Sequence, residues 1–253
     1  MDKKTEIFRV LFNICAGIGI YIVGYLLATS IMSFLPGVQE LHIMYINAVA
    51  MAVAALVLIP FIRKDEYGFA IKKKQVLQLL AVMFMAYSSS IVFNVLLSRI
   101  PWQAFATENA APNAAVFFGI PLWARMLCYE IVAPVSEELL FRQIIYKRLT
   151  GIAPLWVSVL VSSLLFGFYH GNLMQGVYAF IMGIFLALAY EWTGSLLAPI
   201  LFHVVANHVS DIAYEFKSVG QIIYSSYGFM VAVIVFAVSL IILIKNKNKC
   251  SIK

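Results

Sequence analysis

The sequence predicts an all-α, polytopic transmembrane helix bundle of about eight membrane helices, and three observations carry the prediction. Of the 253 residues, 63% are hydrophobic and 12% charged, against roughly 45–50% and 25% in a soluble domain. The charges cluster, leaving charge-free runs at 10–39, 41–62, 75–98, 149–190, 192–210 and 218–244. Each is about as long as the roughly 20 apolar residues that cross a bilayer, or longer. Finally, the net charge of +6 comes from lysines and arginines lying between the apolar runs. There they act as topology signals and contacts to anionic lipid, which excludes nucleic acid as a partner.

The passes fall at 8–35, 42–62, 75–98, 117–149, 153–171, 173–190, 195–216 and 221–244. Lys3 and Lys4 precede an apolar run well beyond the roughly 7–15-residue core of a signal peptide, so it is read as the first membrane helix. Segment 117–149 would be about 50 Å long, too long for one perpendicular crossing, and Pro121 and Pro134 are expected to break or kink it. The run 149–190 must hold two helices, with Gly171-Asn172 as the turn. With no internal repeat or soluble domain visible, residues 1–253 read as a single integral membrane domain. Fourteen of the eighteen Lys and Arg fall on one side if the N-terminus is inside; Arg99 and Lys217 fall outside, and Arg125 and Arg142 lie within the fourth segment. Both termini are therefore expected in the cytoplasm. Cys15, Cys128 and Cys250 suggest neither a disulfide framework nor a thiolate metal site. The terminal Cys250-Ser251-Ile252-Lys253 has the position of a prenylation box but not a usual last residue.

Polar groups at membrane depth are costly and mark function. They are crowded into the second half: Arg125, Glu130, Glu137, Glu138 and Arg142 in the fourth segment, His170 at the end of the fifth, and His203, Asn207, His208 and Asp211 in the seventh. On a helix, Glu138 and Arg142 stack at i,i+4 as an ion pair. Glu137 is rotated away with no opposite charge at i+3 or i+4, so it is the carboxylate expected to face a cavity as general base. His203 and Asn207 share one face, with Asp211 one turn on and His208 off it. The bland alternatives are a helix-end ion-pair cluster, an interfacial histidine bonded to backbone, and interhelical hydrogen bonds that only pack the bundle. Jointly the groups supply a water activator, a group to hold that water and donors for a tetrahedral oxyanion. Glu137, His170 and His203 would equally hold zinc with one position open for water. No H-E-x-x-H or G-x-S-x-G motif is present. At 1.5 Å per residue Glu137 and Asn207 both lie about 18 Å from the inner ends of their helices and His203 about 12 Å. His170 lies about 25 Å from a start at 153, level with them only if its helix tilts or starts deeper.

E-E-x-x-x-R at Glu137, Glu138 and Arg142, F-x-x-x-H at Phe166 and His170, and H-x-x-x-N at His203 and Asn207 resemble the CPBP (CAAX protease and bacteriocin-processing, or Abi) family of intramembrane endopeptidases. The resemblance covers about residues 117–216, the expected catalytic core. It implies a site opening toward the cytosol in a bacterial cell membrane, acting on a membrane-anchored protein or peptide. Glu137 and His170 would activate water, His203 and Asn207 would stabilise the oxyanion, and Glu138 and Arg142 would brace the site. The competing readings are a non-catalytic immunity or scaffold protein and a proton-coupled transporter.

Overall fold

The computed structural model describes residues 2–38, 42–62, 75–102 and 118–247. Arg63, Lys64, Lys72, Lys73 and Lys74, the residues around Asn109, and Lys249, Cys250 and Lys253 therefore lie outside the described residues. Among the described residues the chain is helical throughout: α1 Lys3–Ser33, α2 Ile43–Leu58 with a 3₁₀ turn Ile59–Phe61, α3 Gln75–Leu97, α4 over 122–149, α5 Leu155–Tyr169, α6 Leu173–Thr193, α7 Leu197–Glu215, a short α8 Lys217–Ile223, and α9 Ser226–Asn246. The fold is the expected all-α polytopic membrane type. Five of these helices (α1, α2 with its 3₁₀ turn, α3, α6 and α9) are long and apolar enough to cross a membrane by length and composition. The other three expected passes differ for identifiable reasons. α5 has only 15 residues, whereas α4 and α7 carry buried charged and polar groups that lower their hydropathy.

The chain packs as two compact units, Met1–Tyr67 with Asn113–Ser162, and Gly68–Pro112 with Ser163–Lys253. In the first unit α1 buries Ile14, Gly17, Tyr21, Gly24 and Ala28, the alternating three-four spacing of a helix packed along one narrow seam. The small residues in that seam let backbones approach closely: a Cβ on Gly17 would collide with Ile144 Cγ2 of α4. Neither proline breaks α4. Pro121 stands just before its first residue, and Pro134 sits inside a helix that runs through it. The turns before it, Met126–Val132, and those of Leu139–Tyr146 are π-helical, with Ala133 N–H donating to the Cys128 carbonyl and Lys147 N–H to that of Arg142. A proline interior to an α-helix removes one bond and crowds the carbonyl four residues back. Widening the ladder to five-residue steps is how α4 passes Pro134, and such π stretches gather at functional sites.

In the second unit α3 packs along α7 and α9. Phe93, Phe185 and Phe236 close a three-helix aromatic contact with centroids 5.3–6.3 Å apart. Helix ends are tied by amides, Gln75 donating to the Thr193 carbonyl and Gln78 to that of Asn246, both at 2.7 Å. The turn between α5 and α6 is where the sequence predicts it. Gly171 takes φ +73°, and Asn172 caps α6 by accepting from Gln175 N–H at 2.9 Å.

Candidate active site

The acidic motif lies in the first unit, on the single α-helical stretch Ala133–Glu138 between the two π stretches of α4. Arg142 Nε lies 2.8 Å from Glu138 Oε2 as an ion pair, with both side chains fully buried. This is the i,i+4 pair read from the sequence, formed even though Arg142 already lies in the second π stretch. A buried ion pair must recover a large desolvation cost through good geometry, so Glu138 and Arg142 serve each other first. Glu137 is buried too, 7% exposed. Its neighbour Ser136 fixes this turn against α1 and α2. Ser136 Oγ donates its one proton to the Met51 carbonyl at 2.8 Å, so at the 3.0 Å contact with Tyr21 Oη it is the tyrosine that donates.

The second unit holds the imidazoles and the amide. The Phe166 ring stands edge-on to both His170 and His203, with centroids 4.8 and 5.6 Å away. The depth mismatch of His170 therefore does not separate it from His203; α5 starts at Leu155 rather than 153. Nδ1 of His170 lies 2.8 Å from the Phe166 carbonyl. A carbonyl only accepts, so Nδ1 carries the proton and Nε2 of the neutral ring keeps a basic lone pair. The backbone-bonded histidine of the bland reading and a base presented in one tautomer are thus the same arrangement. His170, His203 and Asn207 line one cavity of about 80 Å³ together with Phe166, Gln175 and Tyr178. That is room for a few waters, each needing about 10–15 Å³ of such space. His208 is half-buried and Asp211 buried, and neither lines the cavity.

The six candidate residues thus fall as Glu137, Glu138 and Arg142 in the first unit and His170, His203 and Asn207 in the second. Zinc needs three protein ligands, and among the described residues neither unit by itself gathers three His, Cys, Asp or Glu side chains as a metal-binding set. Sequence reasoning passed over Gln175 and Tyr178. Gln175 was legible, because Asn172 three residues before it forms a capping pair, with Asn172 Nδ2 donating to Gln175 Oε1 at 2.7 Å. Tyr178 stands in an apolar run with no motif to mark it.

Residues 119–209 match the family model of the type II CAAX prenyl endopeptidase Rce1-like proteins, a segment that contains all six candidates. This segment is therefore similar to the Rce1-like family over about a third of the chain. The chain is similar to the membrane-embedded CAAX protease MroQ of Staphylococcus aureus, 26% identical over 207 residues, covering 74% of this chain and 83% of that one. It is 31% identical over 101 residues to the putative membrane peptidase YdiL of Bacillus subtilis, covering 40% of this chain and 41% of that one. An uncharacterized 24.3 kDa protein of Escherichia coli is 35% identical over 87 residues, 32% of this chain and 40% of its own length. No solved structure matches. The similarity to membrane proteins and the five long apolar helices together support an integral membrane protein.

Proposed function

We propose that the chain is an intramembrane endopeptidase that hydrolyses peptide bonds of membrane-anchored proteins or peptides with a glutamate- and histidine-activated water. The observation that carries the reading is the cavity shared by His170, His203 and Asn207. Glu137, on a turn whose neighbouring charge is already balanced by the Glu138–Arg142 pair, takes a proton from water as general base. Nε2 of His170, left basic by the Nδ1–H bond to Phe166, orients that water. The water oxygen bonds to the carbonyl carbon, and the developing oxyanion accepts from His203 and from the Asn207 amide. The carbon–nitrogen bond then breaks as the proton held by Glu137 passes to the leaving amine. The catalytic core is assigned to 117–216 within a single membrane domain, opening to the cytosol with both termini cytoplasmic.

Purified in detergent with a membrane-anchored peptide, the protein should cleave, and Glu137→Gln should leave almost nothing. His170→Ala, His203→Ala and Asn207→Ala should each slow turnover; loss of one oxyanion donor costs about 10²–10³. Stoichiometric zinc whose removal abolishes cleavage would replace the carboxylate-activated water with a metal-bound one. A wild-type protein inactive on such peptides would refute the peptidase reading.

A further inference from the structure

α3 lies outside the segment 119–209 that matches the family and carries no catalytic motif, yet it bears three consecutive serines in an apolar membrane span. Ser88, Ser89 and Ser90 are all fully buried. Two of them are satisfied within their own helix, Ser88 donating to the Phe84 carbonyl at 2.6 Å and Ser89 to that of Ala86 at 3.1 Å. Ser90 alone of the three turns to other helices. Its hydroxyl donates to the Ala206 carbonyl of α7 at 3.1 Å and accepts from Tyr178 Oη of α6 at 3.2 Å and from Asn94 Nδ2 at 3.4 Å. Asn94 Nδ2 also lies 3.3 Å from Ser210 Oγ, one turn further along α7. Ser90 Oγ also lies 3.3 Å from Ser210 Oγ, so every donor and acceptor position of the hydroxyl has a neighbour to engage it.

The chain of bonds ends on the peptide unit that joins Ala206 to Asn207. The carbonyl of that unit and the N–H of Asn207 share one rigid plane; holding one end sets where the Asn207 side chain starts. Tyr178, at the other end of the chain, lines the same cavity as His203 and Asn207, whereas no residue of α3 does. Ser90 therefore links the α6 wall of the cavity to the α7 wall from behind. We propose that Ser90 and Tyr178 are positioning residues of the hydrolytic site, setting the separation of α6 and α7 and the aim of the Asn207 amide. The assignment rests on the peptidase reading above.

The test compares Ser90→Ala and Tyr178→Phe with Ser88→Ala and Ser89→Ala, in the full-length protein in detergent. Ser90→Ala and Tyr178→Phe should lower kcat about tenfold, the rate equivalent of one hydrogen bond, with KM little changed. Ser88→Ala and Ser89→Ala should leave kcat unaltered. In an Asn207→Ala background Ser90→Ala should add almost nothing, because it acts through that amide. Equal losses in all three serine variants, or an undiminished Ser90→Ala effect without Asn207, would overturn the proposal. A readout independent of activity separates this from the function itself: with asparagine and histidine isotopically labelled, Ser90→Ala should move the Asn207 side-chain amide resonances and Ser88→Ala should not. If wild type cleaves nothing while those resonances move as expected, the peptidase reading falls and the positioning stands. Unmoved Asn207 resonances in both Ser90→Ala and Tyr178→Phe would sink the positioning even with cleavage intact. Tyr178→Phe keeps the ring, so it serves should Ser90→Ala fail to fold.

Discussion

Glu137 and Glu138 are adjacent in sequence, and the proposed mechanism assigns them different work. Glu138 meets Arg142 at 2.8 Å with neither side chain exposed, so Glu138→Ala strands a guanidinium in a place water does not reach. The expected cost is about 3–5 kcal/mol of stability, since removing one partner of a buried pair leaves the other uncompensated. Glu137→Gln conserves shape and removes only the basic oxygen, so thermal stability should stay near wild type while cleavage disappears. Melting temperatures and rates of the two variants, measured side by side, check the division; equal destabilisation with activity retained in Glu137→Gln would refute it. At the same scale, Ser136→Ala removes the hydroxyl that joins Tyr21 to the Met51 carbonyl. Two buried groups then each lose that one hydrogen bond, at about 1–3 kcal/mol, and the turn carrying Glu137 loosens.

Among the helices, the crossing of α5 and α6 is sensitive to volume. A Cβ at Gly167 would stand 2.7 Å from the Gly176 carbonyl oxygen, and one at Gly176 would stand 3.0 Å from that of Gly167. The obstacle is backbone on both sides, so neither helix can yield by a rotamer change. Gly167→Ala should therefore destabilise by about 1–3 kcal/mol through overpacking. It should also slow cleavage, because Gly167 is one residue after Phe166, whose ring and carbonyl contact His170. Gly19→Ala, with nothing near its Cβ, is the matched control and should be neutral. Comparable losses at the two positions would show that glycine replacement, rather than this crossing, is responsible.

For the whole molecule, the proposed orientation rests on charge. Fourteen of eighteen Lys and Arg are assigned to one side, which the positive-inside rule predicts to be the cytoplasm. In a background with Cys15, Cys128 and Cys250 replaced, single cysteines in the 63–74 loop and at the C-terminus should be shielded from an impermeant thiol reagent in intact cells. One near Asn109 should react. Labelling in the opposite sense would invert the topology and turn the cavity away from the cytosol. α1 and α9 leave large apolar side chains such as Phe8, Leu26, Ile31, Tyr227 and Ile234 exposed, the outward faces expected of helices solvated by lipid tails.

What the sequence by itself determined was mostly local or one-dimensional. Apolar run length yields the helices, Gly171 and Asn172 yield the turn between α5 and α6, and four-residue spacing yields both the Glu138–Arg142 pair and the common face of His203 and Asn207. These depend on helix geometry alone, and a helix of 3.6 residues per turn looks the same in any fold. Tertiary structure decided what periodicity cannot express. Pro134 is carried through an unbroken α4 by a switch to π-helical turns, which a fixed 100° step does not anticipate. His170, apparently too far along its helix, shares the edges of the Phe166 ring with His203 because α5 and α7 are brought together by packing. Ser90, indistinguishable in sequence from Ser88 and Ser89, is the one of the three whose hydroxyl finds a partner on another helix. A serine in an apolar span always has its own helix's carbonyls to bond, so only the arrival of a neighbouring backbone determines which one bonds elsewhere.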